Sequence, residues 1–139
     1  MDLLTNLEPL SCQMCQEIMP QYWNGNVSKI LRRKVEKHLA ECAACDDYED
    51  TEWMARVSIG DERAFKWLMH KHKHTAMGRI YGMTGCASGS FYVEDLFQEV
   101  WLKIWRSADK FDIRKGVFRS WCCEITLNIC RDWLRRMRV

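Results

Sequence analysis

Residues 94–136 read EDLFQEVWLKIWRSADKFDIRKGVFRSWCCEITLNICRDWLRR, and this stretch decides the fold. Its first block, 94–106, places Leu96, Phe97, Val100, Trp101, Ile104 and Trp105 at steps of one, three and four. That spacing predicts an amphipathic helix. The opposite face of the same helix carries Glu94, Asp95, Gln98, Glu99 and Lys103. The last block predicts a second helix, with Trp121, Ile125, Ile129 and Trp133 spaced by four and Asn128, Arg131, Arg135, Arg136 and Arg138 on its outer side. An acidic-faced helix followed by one rich in arginine and aromatic residues points to one surface for a protein and one for nucleic acid. Charge runs of this kind are also the ordinary solvated faces of helices.

The chain has 139 residues, room for one ordinary domain or two small ones. Apolar residues make up 47% of it and include 7 Trp, so a packed core is within reach. The net charge of +2 hides a split. Residues 1–60 hold 6 Lys+Arg against 10 Asp+Glu, whereas residues 61–139 hold 15 against 9. On that balance nucleic acid is a candidate partner of the second part alone, and the split allows the two parts to attract each other. The apolar runs are too short to span a bilayer, and MDLLTNLEPL lacks the charged-then-apolar pattern of a signal peptide. Eight Cys without such a signal argue for reduced thiols or a metal site rather than a disulfide framework, and place the chain in the cytoplasm.

Residues 1–45 read as a helical hairpin. The segment from Cys12 has apolar residues at Cys15, Ile18, Met19 and Tyr22, and is expected to be strained or ended near Pro20 and stopped by Asn24 and Gly25. Ser28 can cap the next helix, whose buried face would be Ile30, Leu31, Val35 and Leu39. That helix runs into HLAECAAC, in which His38 and Cys42 are four apart and Cys42 and Cys45 form a CxxC. Three borderline-to-soft ligands thus converge at one helix end, and zinc needs a fourth to complete a tetrahedron. Cys12 and Cys15 compete for that place. So small a hairpin has little core of its own, and the metal would supply much of its folding energy.

Residues 46–60 begin acidic and end apolar, with Trp53, Met54 and Val57 spaced for one helical face; a short docking helix and a solvated linker are both open. Asp61 can cap a helix in which Phe65, Leu68, Met69 and His72 face inward. His70 and His74 share a face, but no third ligand is near them, so the run reads as a solvated cationic surface. Gly82, Gly85, Ser88, Gly89 and Ser90 mark a turn before the helix at 94. Cys122, Cys123 and Cys130 read as small core residues. No nucleophile–base pair or carboxylate dyad is present, so an enzyme is not expected.

The order ED-L-x-QE-V, then F-x-S-W, then N-x-x-x-D-x-L-R-R resembles region 2 of sigma-70 family sigma factors, most of all the compact extracytoplasmic-function (ECF) group. The resemblance covers residues 61–138. It implies an all-α architecture: a zinc-stabilised hairpin (1–45), a link (46–60) and a helical region 2 bundle (61–139). It implies docking of the 94–106 helix on the clamp helices of the largest subunit of core RNA polymerase, through Asp95, Gln98 and Glu99. It also implies a loop at 109–115 that holds a flipped base of the promoter minus-ten element, and DNA contacts from Arg119, Trp121, Asn128, Arg131, Arg135 and Arg136. Trp121 and Trp133 read more readily as core than as DNA contacts, which leaves Asn128 and Arg131 the better candidates. The N-terminal segment is similar to the zinc-finger anti-sigma domain, whose Cys, about 25 residues, then H-x-x-x-C-x-x-C is matched by Cys12, His38, Cys42 and Cys45. That register implies zinc on these four, leaves Cys15 a buried neighbour, and implies an intramolecular contact between zinc and sigma domains. An ECF sigma factor carries a further helical domain that reads the minus-thirty-five element, so the chain is either a fragment of a longer protein, the favoured expectation, or a protein that lacks that reader. The functional expectation is a sigma factor restrained by its own zinc domain. The alternative is an interaction protein that binds a sigma factor or polymerase without initiating transcription.

Overall fold

The computed structural model describes residues 8–86 and 90–137. Arg138 and the turn residues Ser88 and Gly89 lie outside them. Among the described residues every regular element is helical: α1 (Cys12–Trp23), α2 (Lys29–Glu41), α3 (Ala43–Val57), α4 (Glu62–Thr84), α5 (Phe91–Arg106) and α6 (Phe118–Met137). Two short 3-10 turns, Ala108–Lys110 and Ile113–Lys115, lie between α5 and α6. The chain forms two compact units, Met1–Asp50 and Thr51–Val139.

The first unit is a hairpin of α1 and α2. Ser11 caps α1 by accepting the Met14 N–H at 3.1 Å, and Ser28 caps α2 by accepting the Leu31 N–H at 3.1 Å, each satisfying a donor that a helix start leaves free. Gly25, at φ +76°, takes the left-handed conformation that the turn between the helices requires. Leu10, Cys15, Met19, Val35 and Cys45 form the core, with Ile18, Tyr22, Trp23, Leu31 and Leu39 packed around it. One expectation is decided here and one changes. Helix α1 runs through Pro20 to Trp23 and ends at Asn24, where the sequence placed its stop. The proline forfeits one backbone hydrogen bond. That loss is offset by the turn beyond it, where Tyr22 joins the core and the Trp23 Nε1–H donates to Glu49 at 2.8 Å. Ile30, expected inside, is 48% exposed, because the buried arc of α2 is centred on Val35.

In the second unit α4, α5 and α6 each pack against the other two. Residues 51–57 complete α3, and Trp53, Met54 and Val57 are buried in this unit, Trp53 with its ring 5.8 Å from that of Trp67. Asp61 caps α4 with hydrogen bonds from the Arg63 and Ala64 N–H groups at 2.9 and 3.2 Å. Leu68, Ile80, Val93, Val100, Trp101, Ile104 and Phe118 are fully buried, and the His72 ring lies 5.1 Å from that of Phe118. On α5 the stripe from Leu96 to Ile104 is buried and Trp105 half-buried.

Helix α6 buries Cys122 and Cys130 as expected but leaves Cys123 half-buried and shifts the rest of its expected register. Its innermost line is Phe118, Cys122, Thr126 and Cys130, while Trp121, Ile125, Ile129 and Trp133 are half-buried along its flank. The reason is size. Beyond Phe118 the small side chains of Cys122, Thr126 and Cys130 let α6 approach its neighbours closely, whereas the larger Trp and Ile side chains of the other line would hold it away. Thr126 is tolerated there because its hydroxyl donates to the Cys122 carbonyl at 2.8 Å. Phe65 and Met69 of α4, expected inside, are half-buried and edge an apolar groove instead.

Candidate metal centre and charged faces

The first unit is organised around four side chains. Cys12 is the first residue of α1, and His38 lies in the last turn of α2. Cys42 breaks the chain between α2 and α3 with an extended backbone (φ −118°, ψ 101°), and Cys45 sits in the first turn of α3. This break lets the CxxC fold back on His38. One donor atom from each of Cys12, His38, Cys42 and Cys45 lies within 4.8 Å of every other. The Cys12 and Cys42 Sγ atoms are 3.7 Å apart, which matches the edge of about 3.8 Å that Zn–S bonds of about 2.3 Å impose in a tetrahedron. His38 Nε2 is buried and has no hydrogen-bond partner among the described residues, as a nitrogen reserved for a metal would be.

The electrostatics agree with a cation at this place. A hydrogen bond from the Cys45 backbone N–H is the main cause that lowers the Cys42 thiol below its ordinary range. Burial pushes the Cys45 thiol up to about 12, so a thiolate there needs a positive partner, which a dication would be. Cys12 and Cys45 also sit at helix starts, where the backbone dipoles favour negative charge. Cys15, the competing thiol, is fully buried, and burial raises its pKa; it packs in the core and stands outside the four-donor cluster. The donor set and its geometry fit a structural zinc site, in which the ion would tie the ends of α1, α2 and α3 together. All eight cysteines are free thiols.

In the second unit, Glu94, Asp95, Gln98 and Glu99 are all exposed on α5, opposite its buried stripe. Beside Gln98 lies a groove of 410 Å³ lined by Phe65, Met69, Phe97, Trp101, Leu102 and Trp105. Periodicity had placed Phe65 and Met69 inside, and the groove became visible only when α4 and α5 were packed together. On α6, Arg119, Asn128, Arg131, Arg135 and Arg136 are exposed. Arg135 is held by Asp132 at 2.8 Å. Trp121 is half-buried, its ring 5.3 Å from that of Phe111 and 6.1 Å from that of Phe118. Asn128 lines a cleft with Glu99, Lys103, Arg106 and Asp132 between α5 and α6. Lys103 and Arg106 were not singled out from the sequence as lining one cleft with Asn128, and only the packing of α5 on α6 brings them there. The loop at 109–115 is pinned by Arg114, whose guanidinium donates twice to the Asp112 carboxylate at 3.0 Å; this pair holds the Asp112 carboxyl below the usual carboxylate range.

One unit is thus a zinc-ready hairpin, and the other is a helical bundle with one acidic and one arginine-rich face. The chain belongs to the sigma-70 region 2 family, whose model matches residues 68–138. A zinc-finger family model matches residues 12–45, so the four-donor cluster opens and closes on the limits of that match. The two together are consistent with the ECF group. Among curated proteins the chain is similar to the RNA polymerase sigma-H factor of Pseudomonas aeruginosa, 29% identical over 86 residues. That similarity covers 62% of this chain and 42% of the relative, so the chain spans less than half of that protein's length. Among the described residues, no helix is long and apolar enough to cross a membrane.

Proposed function

We propose that this chain supplies an ECF-type sigma region 2, which binds core RNA polymerase through α5 and engages the melted promoter minus-ten element through α6 and the loop before it. The observation that carries the reading is the division of α5: Leu96, Val100, Trp101 and Ile104 are buried, while Asp95, Gln98 and Glu99 are exposed and have no ion-pair partner among the described residues. Such a face suits a basic coiled coil like the polymerase clamp helices. On α6, Arg131 and Arg136 would bind phosphate, and Asn128 would contact a base edge. Arg119 and Arg135 add positive charge along the same helix, and Trp121 offers a ring edge for an unstacked base. In this reading the zinc hairpin restrains the sigma module.

The test is run-off transcription with purified core polymerase on templates with and without a minus-ten element. The reading predicts a transcript that depends on both the chain and the element. A chain that neither directs initiation nor supports opening of the minus-ten element would overturn it.

A further inference from the structure

The acidic balance of the N-terminal part conceals a sorting of charge. Of the Lys and Arg residues in 1–60, all but Arg56 lie on one helix, α2: Lys29, Arg32, Arg33, Lys34 and Lys37. The acids gather instead on α3, at Asp46, Asp47, Glu49, Asp50 and Glu52. Helix α2 turns Val35 into the hairpin core, with Leu31 and Leu39 packed beside it and His38 toward the metal cluster. The opposite arc presents Lys29, Arg32, Arg33 and Lys37 to solvent, with Lys34 half-exposed at its border. Lys29, Arg33 and Lys37 recur every four residues, so they form one stripe along the helix with steps of about 6 Å.

These cations are not used within the fold. None of the five has an ion-pair partner among the described residues. Of the acids on α2 itself, Glu36 accepts the Tyr22 hydroxyl at 3.4 Å. Glu41 stands with Glu8 near Lys34 and Lys37, and softens only that end of the stripe. The arc has little apolar surface: Ile30 is its one large exposed hydrophobic residue. Insertion into a lipid surface requires an exposed apolar face next to the charges, and α2 has turned its apolar side inward. A cationic stripe without that face suits a polyanion with regularly spaced charges.

We propose that the exposed face of α2 binds the phosphate backbone of DNA without reading its sequence. The inference does not depend on polymerase binding by α5, and it concerns a surface separate from the arginines of α6. It assigns a DNA contact to the part of the chain whose net charge argued against one.

The test is fluorescence anisotropy of a labelled random-sequence DNA duplex with the full-length zinc-loaded chain, titrated across salt concentrations. The triple variant R32Q/R33Q/K37Q is compared with the triple variant R131Q/R135Q/R136Q, with zinc content and thermal unfolding by circular dichroism confirming that each is folded. Removing three phosphate contacts should lower the slope of log affinity against log salt by about 3, and affinity at low salt by at least about tenfold. R32K/R33K should keep the wild-type slope, because it keeps the charge. The inference is overturned if the α2 variant binds as wild type does, or if the wild type shows no salt-dependent binding. It is also overturned if phosphatidylserine vesicles bind the chain as tightly as the duplex through the same residues. Loss confined to the α6 variant would overturn this inference and leave the proposed role of α6 standing; loss in the α2 variant supports the inference whether or not the α6 variant, whose proposed substrate is the melted strand, also loses duplex binding.

Discussion

The sulfur atoms of Cys12 and Cys42 stand 3.7 Å apart although 30 residues separate them in sequence. Two thiols without a cation gain little from such proximity, and as thiolates they would repel. The spacing makes sense as one edge of a coordination tetrahedron whose other corners are His38 and Cys45. Purified protein should therefore contain about one zinc per chain by elemental analysis. C12S should lose the metal and C15S should retain it, because Cys15 lies in the core and outside the cluster. Zinc retained in C12S and lost in C15S would reverse the assignment.

Chelation should have a structural effect confined to the hairpin. The core of the first unit consists of Leu10, Cys15, Met19, Val35 and Cys45 with a partly buried surround. Structural zinc contributes on the order of 10 kcal/mol in small metal-folded domains, more than such a core can supply alone. Stripping the metal should melt the helical signal of α1 and α2 and restore it on zinc addition, as read by circular dichroism. Helicity and thermal stability unchanged after metal removal would count against a structural site.

The position of the core in the second unit can be checked by truncation. Phe118 is fully buried among the rings of His72, Trp101, Phe111 and Trp121, whereas Trp133 is half-buried with its ring 5.5 Å from that of Tyr92. F118A should cost about 3–5 kcal/mol in urea unfolding. W133A should cost clearly less. Equal losses would mean that α6 buries its tryptophan flank after all.

On α6 the arginines and Asn128 are expected to act differently. R131Q should weaken binding to single-stranded minus-ten DNA for every sequence and lower the salt slope by about 0.7. N128A should change preference among minus-ten variants and leave the salt slope unchanged. Identical behaviour of the two variants would remove the base-reading role from Asn128.

Much of this architecture is legible in the sequence because it depends on spacing. The steps of three and four in 94–106 locate the buried stripe of α5, and the H-x-x-x-C-x-x-C spacing locates three of the metal ligands. Other features depend on neighbours that a periodicity does not name. Helix α6 could bury either Trp121–Trp133 or Phe118–Cys130, lines that lie side by side; only packing against α4 and α5 selects the smaller residues. Pro20 reads either as strain within the helix or as its end, and only the structure, in which Trp23 and Glu49 anchor the turn beyond it, decides between the two. Ile30 and the cations around it show the converse limit. A net charge summed over sixty residues erased a cationic face that one helix concentrates.

The central claim is that α5 presents a polymerase-binding face, and its most direct measurement is equilibrium binding of the chain to purified core RNA polymerase. The comparison is between wild type and D95K/E99K at a series of salt concentrations. Asp95 and Glu99 are both exposed, so the double variant should fold as wild type does. The account predicts at least about tenfold weaker binding of the variant at low salt, with the difference narrowing as exposed charges are screened. Equal affinity of the two proteins at every salt concentration would contradict it and return Asp95 and Glu99 to an ordinary solvated surface.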